Sequence, residues 1–257
     1  MRSIWGAKAI AISVRTEYLY LDKNYEKESD KSFKYKQKLK QIIFLLIKHF
    51  SLTKVYSIHK NTKYDKLVLH YTHGNFYDIQ LWDLKYLNFK ESMPKELINL
   101  KLDLDNYVLL AGKLDERRSK SEFIKFIKNN SDIKFIIAGI IDDNDINILK
   151  DKPNLILINR FISNEELFFL MKYCKSIYSY YSNYRPSGFF GRSVQLNRQI
   201  IVKNNSFLSE NFKEYKKLIS ISNLSELNAD LLCMPMSHDE SFIYDDYNFF
   251  SKLILLL

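Results

Sequence analysis

The segment RPSGFFGRSVQLNRQIIV (residues 185–202) contains the pattern on which the fold of this chain depends. Ser187 and Gly188 open an apolar, helix-like run that ends at the β-branched strand QIIV. A serine in this place typically caps a helix, whose first amide groups then face outward at the positive end of the helix dipole. The segment therefore predicts a helix start that can receive an anion on the amides of Gly188 and Phe189. A tight contact between helix and strand is the structural alternative.

An alternation of strand and helix extends this pattern through the second part of the chain. The strand-like segments are NYVLLAG, IKFIIAG, NLILIN, SIYSYY and QIIV, and helical patterns lie between them over 120–129, near 146 and over 164–173. This spacing is typical of βαβ units on a parallel sheet. We therefore predict a doubly wound α/β domain over residues 105–257 and a short N-terminal domain over residues 1–104.

A basic, amphipathic segment stands out in the N-terminal part. DKSFKYKQKLKQIIFLLIKHF (residues 30–50) places lysines around apolar residues and predicts a helix. The strand candidates around it cover 7–14, 54–58 and 66–71. Such a helix can lie on anionic lipid, or it can dock on a sheet with its lysines in solvent, and the two arrangements are compatible.

The positive charge of the chain is unevenly distributed. The first hundred residues hold 18 Lys and Arg against 10 Asp and Glu, and the rest hold 21 against 20. No stretch has the roughly 20 apolar residues of a membrane span, and no signal peptide is recognisable. We expect a cytoplasmic protein that can be peripheral on the inner face of the cell membrane. No nucleic-acid motif accompanies the basic charge, so nucleic acid is not an expected partner.

A second candidate anion-binding site follows the strand NYVLLAG. Gly112 would let the backbone turn tightly, and four basic side chains follow it, Lys113, Arg117, Arg118 and Lys120. Ser119 and Glu122 have the spacing of a capping box. Since ligands bind beyond the carboxyl ends of strands in open α/β sheets, a diphosphate fits here. The alternative is a solvated basic loop.

The order of these motifs resembles that of a known enzyme family. GKLDERRSK, FIIAG, NLILINRFISNEELFFLMKYCKSIYSYY and SGFFGRSVQLNRQIIV follow one another as in the nucleotide-binding C-terminal domain of GT-B glycosyltransferases, especially those of bacterial surface-polysaccharide assembly. The resemblance covers about residues 105–222. It implies two Rossmann-like domains that face a cleft, of which the N-terminal one is short here. It also implies sugar transfer from a nucleotide-diphosphate sugar to a saccharide or lipid-linked saccharide, without a metal or a bound cofactor.

The resemblance also assigns residues to a donor site. The positions implied are, in chain order, Gly112, Lys113, Arg118, Gly139, Asn159, Arg160, Ser187, Gly188, Phe189 and Arg192. Lys113 and Arg118 correspond to the basic pair on the donor diphosphate, and Ser187 begins the phosphate-binding helix. Gly139 follows the strand beside the nucleotide, and the backbone around Asn159 corresponds to the place of the base.

Several positions depart from the family's pattern. Many retaining members carry two glutamates eight positions apart around this helix, and the matching residues here are Tyr184 and Arg192. Arginine has no acceptor atom for a ribose hydroxyl, so Arg192 would face a phosphate, a carboxylate or solvent. Asn197 and Gln199 replace the usual glycine and proline of the next turn. The anomeric outcome stays open, and a catalytically silent partner subunit of another transferase is the alternative function.

The segment THGNFYDIQLWDL (residues 72–84) has the polar and aromatic side chains of a sugar cleft. A His or Asp within reach of an acceptor hydroxyl can act as general base, and the candidates are His73, Asp78 and Asp83. A structural turn is the alternative. The tail, with a helix predicted over 240–257, can cross back to the first domain or support a homodimer.

Overall fold

Two parallel sheets organise the chain. A computed structural model describes residues 9–13, 19, 31–58, 65–76, 81, 83–182 and 187–233. The smaller sheet joins β1 (Ala9–Ser13), β2 (Thr53–Ser57) and β3 (Gly74–Asn75) in that order. The larger sheet contains β4 (Tyr107–Ala111), β5 (Lys134–Ala138), β6 (Leu155–Ile158), β7 (Ser176–Tyr178), β8 (Gln199–Lys203) and β9 (Leu218–Ile221).

The order of strands in the larger sheet reverses once. The strands lie as β6-β5-β4-β7-β8-β9, all neighbours parallel, so the chain winds to one side of β4 and then to the other. The predicted doubly wound α/β arrangement is confirmed. The reversal occurs between β4 and β7, and ligands of such sheets bind in the crevice at the carboxyl ends of the strands at this switch point.

The helices connect the strands of both sheets. Those in the described residues are α1 (Lys31–Phe50), α2 (Asp65–Tyr71), α3 (Lys95–Ile98), α4 (Lys120–Asn129), α5 (Asp143–Leu149), α6 (Asn164–Lys172), α7 (Gly188–Gln195), α8 (Phe207–Asn211) and α9 (Ala229–Cys233). The helices predicted over 120–129 and 164–173 are confirmed. None of the helices in the described ranges has the length and apolar content needed to span a bilayer.

Strand β4 lies at the centre of the core because both of its faces are covered. Val108 and Leu110 point into a cluster with α4, whereas Tyr107, Leu109 and Ala111 point into a second cluster with α6. Successive side chains of a strand point to opposite faces, so a strand between two helical layers needs an unbroken apolar sequence. The sequence YVLLA meets that need, and all five residues are buried.

The third predicted strand, over 66–71, is wrong, because the chain forms helix α2 there. Leu67 and Leu69 are exposed on either side of the buried Val68, an alternation that over three residues looks the same in a strand and in a helix. The next inward side chains are Tyr71 and Thr72, three and four residues on, and the Thr72 hydroxyl donates to the carbonyl of Val68 at 3.0 Å. This spacing is helical, and the strand that pairs with β2 is β3 instead.

The N-terminal part packs directly on helix α7. Leu19, Val68 and Leu81 share a buried cluster with Phe190 and Val194 of that helix. The predicted domain boundary between residues 104 and 105 falls in the segment that connects the two sheets, and it stays a prediction. The helix predicted over 240–257 lies outside the described residues.

The backbone turns after β4 and β5 touch each other at two glycines. Gly112 and Gly139 have φ values of 97° and 147°, which L residues rarely adopt. A Cβ atom on Gly139 would collide with the carbonyl oxygen of Gly112. Side chains are therefore excluded where the two strands end, and this contact fixes the floor of the crevice.

We predict that Gly139→Ala lowers the free energy of unfolding by about 3 kcal/mol, because the methyl group collides with backbone that cannot move cheaply. Urea unfolding measures the loss. Ile140→Ala, a change in the adjacent exposed residue, is the control and is expected to cost less than about 0.5 kcal/mol. A Gly139→Ala protein as stable as the control would contradict the close contact.

Candidate functional site at the switch point of the sheet

The basic turn after β4 contains four basic side chains, of which one is buried and two are paired with carboxylates. Arg118 is buried under the turn, where it donates a hydrogen bond to the carbonyl of Ala111 at the strand's end. Lys113 is exposed and forms no ion pair with any described residue. The other two basic side chains are paired, Arg117 with Asp115 at 2.8 Å and Lys120 with Asp145 at 3.0 Å.

Because Arg117 and Lys120 are paired with carboxylates, the positive charge of the turn that is not neutralised by a described residue belongs to Lys113 and Arg118. Arg118 also lacks a carboxylate partner among the described residues, and its buried Nε has no hydrogen-bond acceptor. A buried donor without a partner is costly, so an acceptor from a ligand would be favourable here. Lys113 and Arg118 are the two residues that the resemblance to GT-B glycosyltransferases assigned to the donor diphosphate.

The helix start at Ser187 has the predicted N-cap geometry. Ser187 has an extended backbone, and its side chain accepts a hydrogen bond from the amide of Phe190 at 3.4 Å. The amides of Gly188 and Phe189 come first in the helix and have no intrahelical acceptor. The predicted N-cap is confirmed, and the helix dipole places partial positive charge at these two donors.

Tyr181 connects the basic turn to this helix start. Its hydroxyl accepts a hydrogen bond from Nη2 of Arg118 at 3.2 Å and another from Oγ of Ser187 at 3.2 Å. The guanidinium carbon of Arg118 lies 5.3 Å from the centre of the tyrosine ring. The two candidate anion-binding sites, the basic turn and the start of α7, therefore lie close together, and both contact the hydroxyl of Tyr181.

Sequence reasoning missed Tyr181 because it reads as the end of the strand-like run SIYSYY. The strand itself stops at Tyr178, so Tyr181 belongs to the loop beyond its carboxyl end. The neighbouring Ser182 joins the same turn through its amide, which donates to the carbonyl of Arg117 at 2.7 Å. A polar aromatic residue directly after a strand next to the switch point was the available signal.

The capping box predicted at Ser119 and Glu122 is wrong. Ser119 has a φ of 51° and makes no side-chain cap hydrogen bond. A 3-10 turn over Glu116–Arg118 precedes it, and Ser119 adopts the left-handed conformation where that turn passes into α4. The hydroxyl is therefore not available to cap α4, and the start of that helix relies on the preceding turn.

The two positions assigned to the nucleotide base lie beyond β6. Asn159 uses its side-chain oxygen to accept the amide of Ile141 at 2.9 Å, which ties the loop after β6 to the loop after β5. Arg160 forms a two-point ion pair with the buried Glu166 at the start of α6, with Nη1 and Oε2 3.0 Å apart. The Arg160 side chain is thus used structurally.

Glu166 combines an ion pair with a helix cap. Its carboxylate accepts the amide of Ser163 at 2.8 Å, while the hydroxyl of Ser163 accepts the amide of Glu166 at 3.2 Å. The hydrogen bonds from Arg160 and from the Ser163 amide hold the pKa of Glu166 below its ordinary value of 4.5, although burial opposes this. The same contact raises the pKa of Arg160.

Arg192 meets a carboxylate from the N-terminal part of the chain. Its Nε and Nη2 donate to Oδ2 of Asp83 at 3.1 Å and 2.9 Å, and Gln195 donates to the other oxygen at 2.9 Å. Gln195 also accepts the amide of Leu84 at 2.9 Å. We call this group, Asp83, Leu84, Arg192 and Gln195, the α7 clasp. Of the three destinations expected for Arg192, the carboxylate is the one observed.

The candidate bases are placed differently from one another. Nδ1 of His73 accepts the amide of Val55 at 3.0 Å, so in the neutral ring the hydrogen is on Nε2 and no basic nitrogen is free. This geometry favours a structural role for His73 and does not support it as the general base. Both oxygens of Asp83 are engaged in the α7 clasp, which favours positioning. Asp78 lies outside the described residues.

Comparisons with known proteins identify the fold. No protein-family model and no curated protein matches the sequence. The structure resembles WaaG, a glycosyltransferase involved in lipopolysaccharide biosynthesis, with a TM-score of 0.55, 8% sequence identity, and coverage of 91% of this chain and 67% of WaaG. It also resembles AviGT4, a glycosyltransferase involved in avilamycin A biosynthesis, with a TM-score of 0.51 and 10% sequence identity. That match covers 79% of this chain and 66% of AviGT4.

The chain has the GT-B fold. A UDP-forming α,α-trehalose-phosphate synthase from Burkholderia xenovorans is also similar, with a TM-score of 0.48 and 10% identity over 66% of this chain. The match covers 46% of that synthase, so this chain spans less than half of its length. The predicted GT-B fold class is confirmed by the first two structures.

One departure from the GT-B sequence pattern is explained by the backbone. Asn197 stands where the family usually has glycine, and it has a φ of 55°. Asparagine is among the few L residues that adopt this left-handed conformation readily. The turn that leads into β8 is therefore preserved without the glycine.

We predict that Glu166→Gln removes an acid-sensitive contribution to stability. A carboxyl whose pKa is lowered by folding stabilises the protein above its ordinary value of 4.5, and this contribution is lost as the pH falls through the lowered pKa. Urea unfolding at neutral pH should show a loss of about 2 kcal/mol, which shrinks as the pH falls. Glu165→Gln changes an exposed neighbour, so its free energy of unfolding should depend on pH as that of the wild type does. The same pH dependence for the wild type and both variants would contradict the role given to Glu166.

We predict that Asp83 and Arg192 are coupled energetically. Asp83→Ala and Arg192→Ala should each reduce the free energy of unfolding, and the double variant should be no less stable than the worse single one. The expected coupling is about 1 kcal/mol from a double-mutant cycle in urea, since the pair is partly buried. Simple additivity of the two losses would show that Asp83 and Arg192 are not coupled and would contradict the prediction.

Proposed function

We propose that this chain is a glycosyltransferase that moves a sugar from a nucleotide-diphosphate sugar to an acceptor hydroxyl. The observation that supports this most directly is the meeting of Arg118 and Ser187, the N-cap of α7, at the hydroxyl of Tyr181. Lys113 belongs to the same basic turn as Arg118. Cations that have no carboxylate partner in the described part of the chain suit a diphosphate, as do the free amides at a helix start, and a nucleoside diphosphate is the group released in this reaction.

In the proposed reaction the acceptor oxygen bonds to the anomeric carbon as the bond from that carbon to the diphosphate oxygen breaks. The bonding pair leaves with the nucleoside diphosphate, and the hydroxyl proton passes to a general base. Lys113, Arg118 and the amides of Gly188 and Phe189 would stabilise the charge on the leaving group. With this much positive potential supplied by the protein, we propose a reaction independent of metal ions.

The acceptor side is proposed to lie in the N-terminal part. The α7 clasp links residue 83 to the helix that begins at the phosphate site, so Asp83 would set the position of the acceptor segment relative to the donor. Asp78 stays the candidate for the general base. We propose a lipid-linked saccharide of bacterial cell-surface polysaccharide or lipopolysaccharide synthesis as acceptor, at the cytoplasmic face of the membrane; WaaG's role in lipopolysaccharide biosynthesis supports this.

A catalytically silent partner subunit is the second candidate. The observation that favours it is the replacement of the two family glutamates by Tyr184 and Arg192, of which Arg192 is used in the α7 clasp. Such a protein would keep the fold and bind nucleotide weakly or not at all. It would transfer no sugar alone or with acceptor.

The test is a thermal-shift panel of UDP, GDP, CMP and their sugars with wild type and with Lys113→Ala. We expect one nucleotide-diphosphate class to raise the midpoint of unfolding and the variant to weaken its binding at least about tenfold, the loss typical of a charged contact to phosphate. Arg117→Ala removes a cation from the same turn that is already paired with Asp115, so it is the matched control and should bind within about twofold of wild type.

Tyr181→Phe tests the connection between the two halves of the site. The change removes only the hydroxyl that accepts from Arg118 and Ser187, so the fold should survive while nucleotide affinity falls several-fold. Release of nucleoside diphosphate in the presence of a chelator then tests catalysis without metal. Binding without turnover would favour the silent partner, and no shift with any nucleotide would overturn the donor site itself.

A further inference from the structure

Helix α1 packs on the protein with its polar side. Gln37 is buried, the amide of Gln41 donates to the carbonyl of Leu19 at 3.4 Å, and the ammonium of Lys48 donates to the carbonyls of Leu69 and His70 at 2.7 Å and 3.1 Å. Phe44 also lies on this side and packs on the cluster below. An amphipathic helix on a globular core normally turns its apolar side inward, so this arrangement is inverted.

The outward side of α1 carries a continuous row of large apolar residues. With about 3.6 residues per turn, successive side chains are about 100° apart around the helix. Six large apolar side chains therefore fall on the side opposite Gln37. They are between 43% and 83% exposed, and we call them the α1 apolar stripe: Tyr35, Leu39, Ile42, Ile43, Leu46 and Phe50. Single exposed apolar residues are common on proteins, but a row of six along one helix marks an interaction surface.

Lysines flank the stripe along both edges. The same angular spacing puts Lys36 and Lys40 at one edge and Lys38 at the other. The helix sequence contains six lysines and neither Asp nor Glu, so its charge has one sign throughout. A lysine chain can extend along an apolar surface and place its ammonium group at the polar boundary.

We propose that α1 docks in the plane of an anionic lipid bilayer, with the α1 apolar stripe in the acyl boundary and the flanking lysines at the lipid phosphates. The charge pattern selects this partner. Two copies of α1 packed stripe to stripe would bring lysines against lysines with no acidic residue of the helix to offset them. A bilayer surface with anionic headgroups offers an apolar layer and negative charge together. A helix about 30 Å long can lie in the plane of that surface and contact both along its length.

This surface is separate from the switch-point site. The residues that face lipid in the proposal make none of the contacts of Lys113, Arg118 or Tyr181, so binding to vesicles requires neither donor nor acceptor. Loss of nucleotide binding would leave the membrane proposal standing, and loss of vesicle binding would leave the donor site standing. If both hold, the docked helix brings the proposed transferase to lipid-linked acceptors.

The experiment is flotation of the full-length protein with vesicles of phosphatidylcholine alone and with about one third phosphatidylglycerol. We expect binding to the anionic vesicles and a reduction of the partition coefficient of at least about tenfold in the double variant Ile42→Ser with Leu46→Ser. Ile98→Ser with Ile148→Ser is the matched control, because both residues are exposed isoleucines away from α1, and it should bind as wild type does.

A second pair of variants tests the charge. Lys36→Gln with Lys38→Gln should lower the partition coefficient by about 25-fold, or about fivefold for each lysine, and added salt should narrow the difference. Lys125→Gln with Lys128→Gln, on the exposed side of α4, is the matched control with equal loss of charge. Equal losses in both pairs would mean that net charge alone, and not α1, drives binding.

Insertion and self-association are separated by two further measurements. A tryptophan placed by Leu46→Trp should be quenched by brominated anionic lipid if the stripe enters the acyl boundary, beyond the background of the wild-type tryptophans. Sedimentation without lipid should show no concentration-dependent dimer that the Ile42→Ser, Leu46→Ser change abolishes. Absence of quenching, or such a dimer together with absent vesicle binding, overturns the proposal.

Discussion

The hydroxyl group of Tyr181 accepts hydrogen bonds from Arg118 and Ser187, and the arrangement of the candidate site depends on this oxygen. The two donors belong to loops that are about seventy residues apart in sequence, beyond β4 and before α7. Parallel strands bring their carboxyl ends to one edge, and the reversal of strand order opens a crevice there. The contact of Gly112 with Gly139 keeps its floor free of side chains. An anion in this place meets a cationic turn and a helix dipole together.

Helix α7 also connects the larger sheet to the N-terminal part of the chain, through the α7 clasp. Its first residues face the proposed phosphate site, while Arg192 and Gln195 hold Asp83 of the N-terminal part. A helix of eight residues is nearly rigid, so a displacement at one end is transmitted to the other. The arginine that departs from the family pattern therefore has a physical role in this chain. It connects the two parts of the molecule through its ion pair with Asp83.

Helix α1 adds a constraint of a different kind, since its apolar side is left on the surface. Burial of Gln37 and the use of Lys48 as a donor to the end of α2 carry a desolvation cost that a conventional orientation would avoid. Such a cost is offset where the outward face has a partner of its own. In the proposed arrangement the bilayer is that partner, and it orients the small sheet relative to the membrane.

The sequence by itself determined the elements whose signals are local and long. The β/α alternation after residue 105 and the N-cap at Ser187 follow from spacing, because periodicity and capping act over a few residues. The choice of Lys113 and Arg118 as a basic pair came from the resemblance to GT-B glycosyltransferases, and its role stays a prediction. The tertiary structure alone decided which side chains meet. The short run 66–71 became a helix through burial of Val68, Ser119 lost its cap to the preceding turn, and His73 was tied to Val55. Tyr181 and the partner of Arg192 were also beyond the sequence, because contacts between distant segments depend on how the strands are ordered in space.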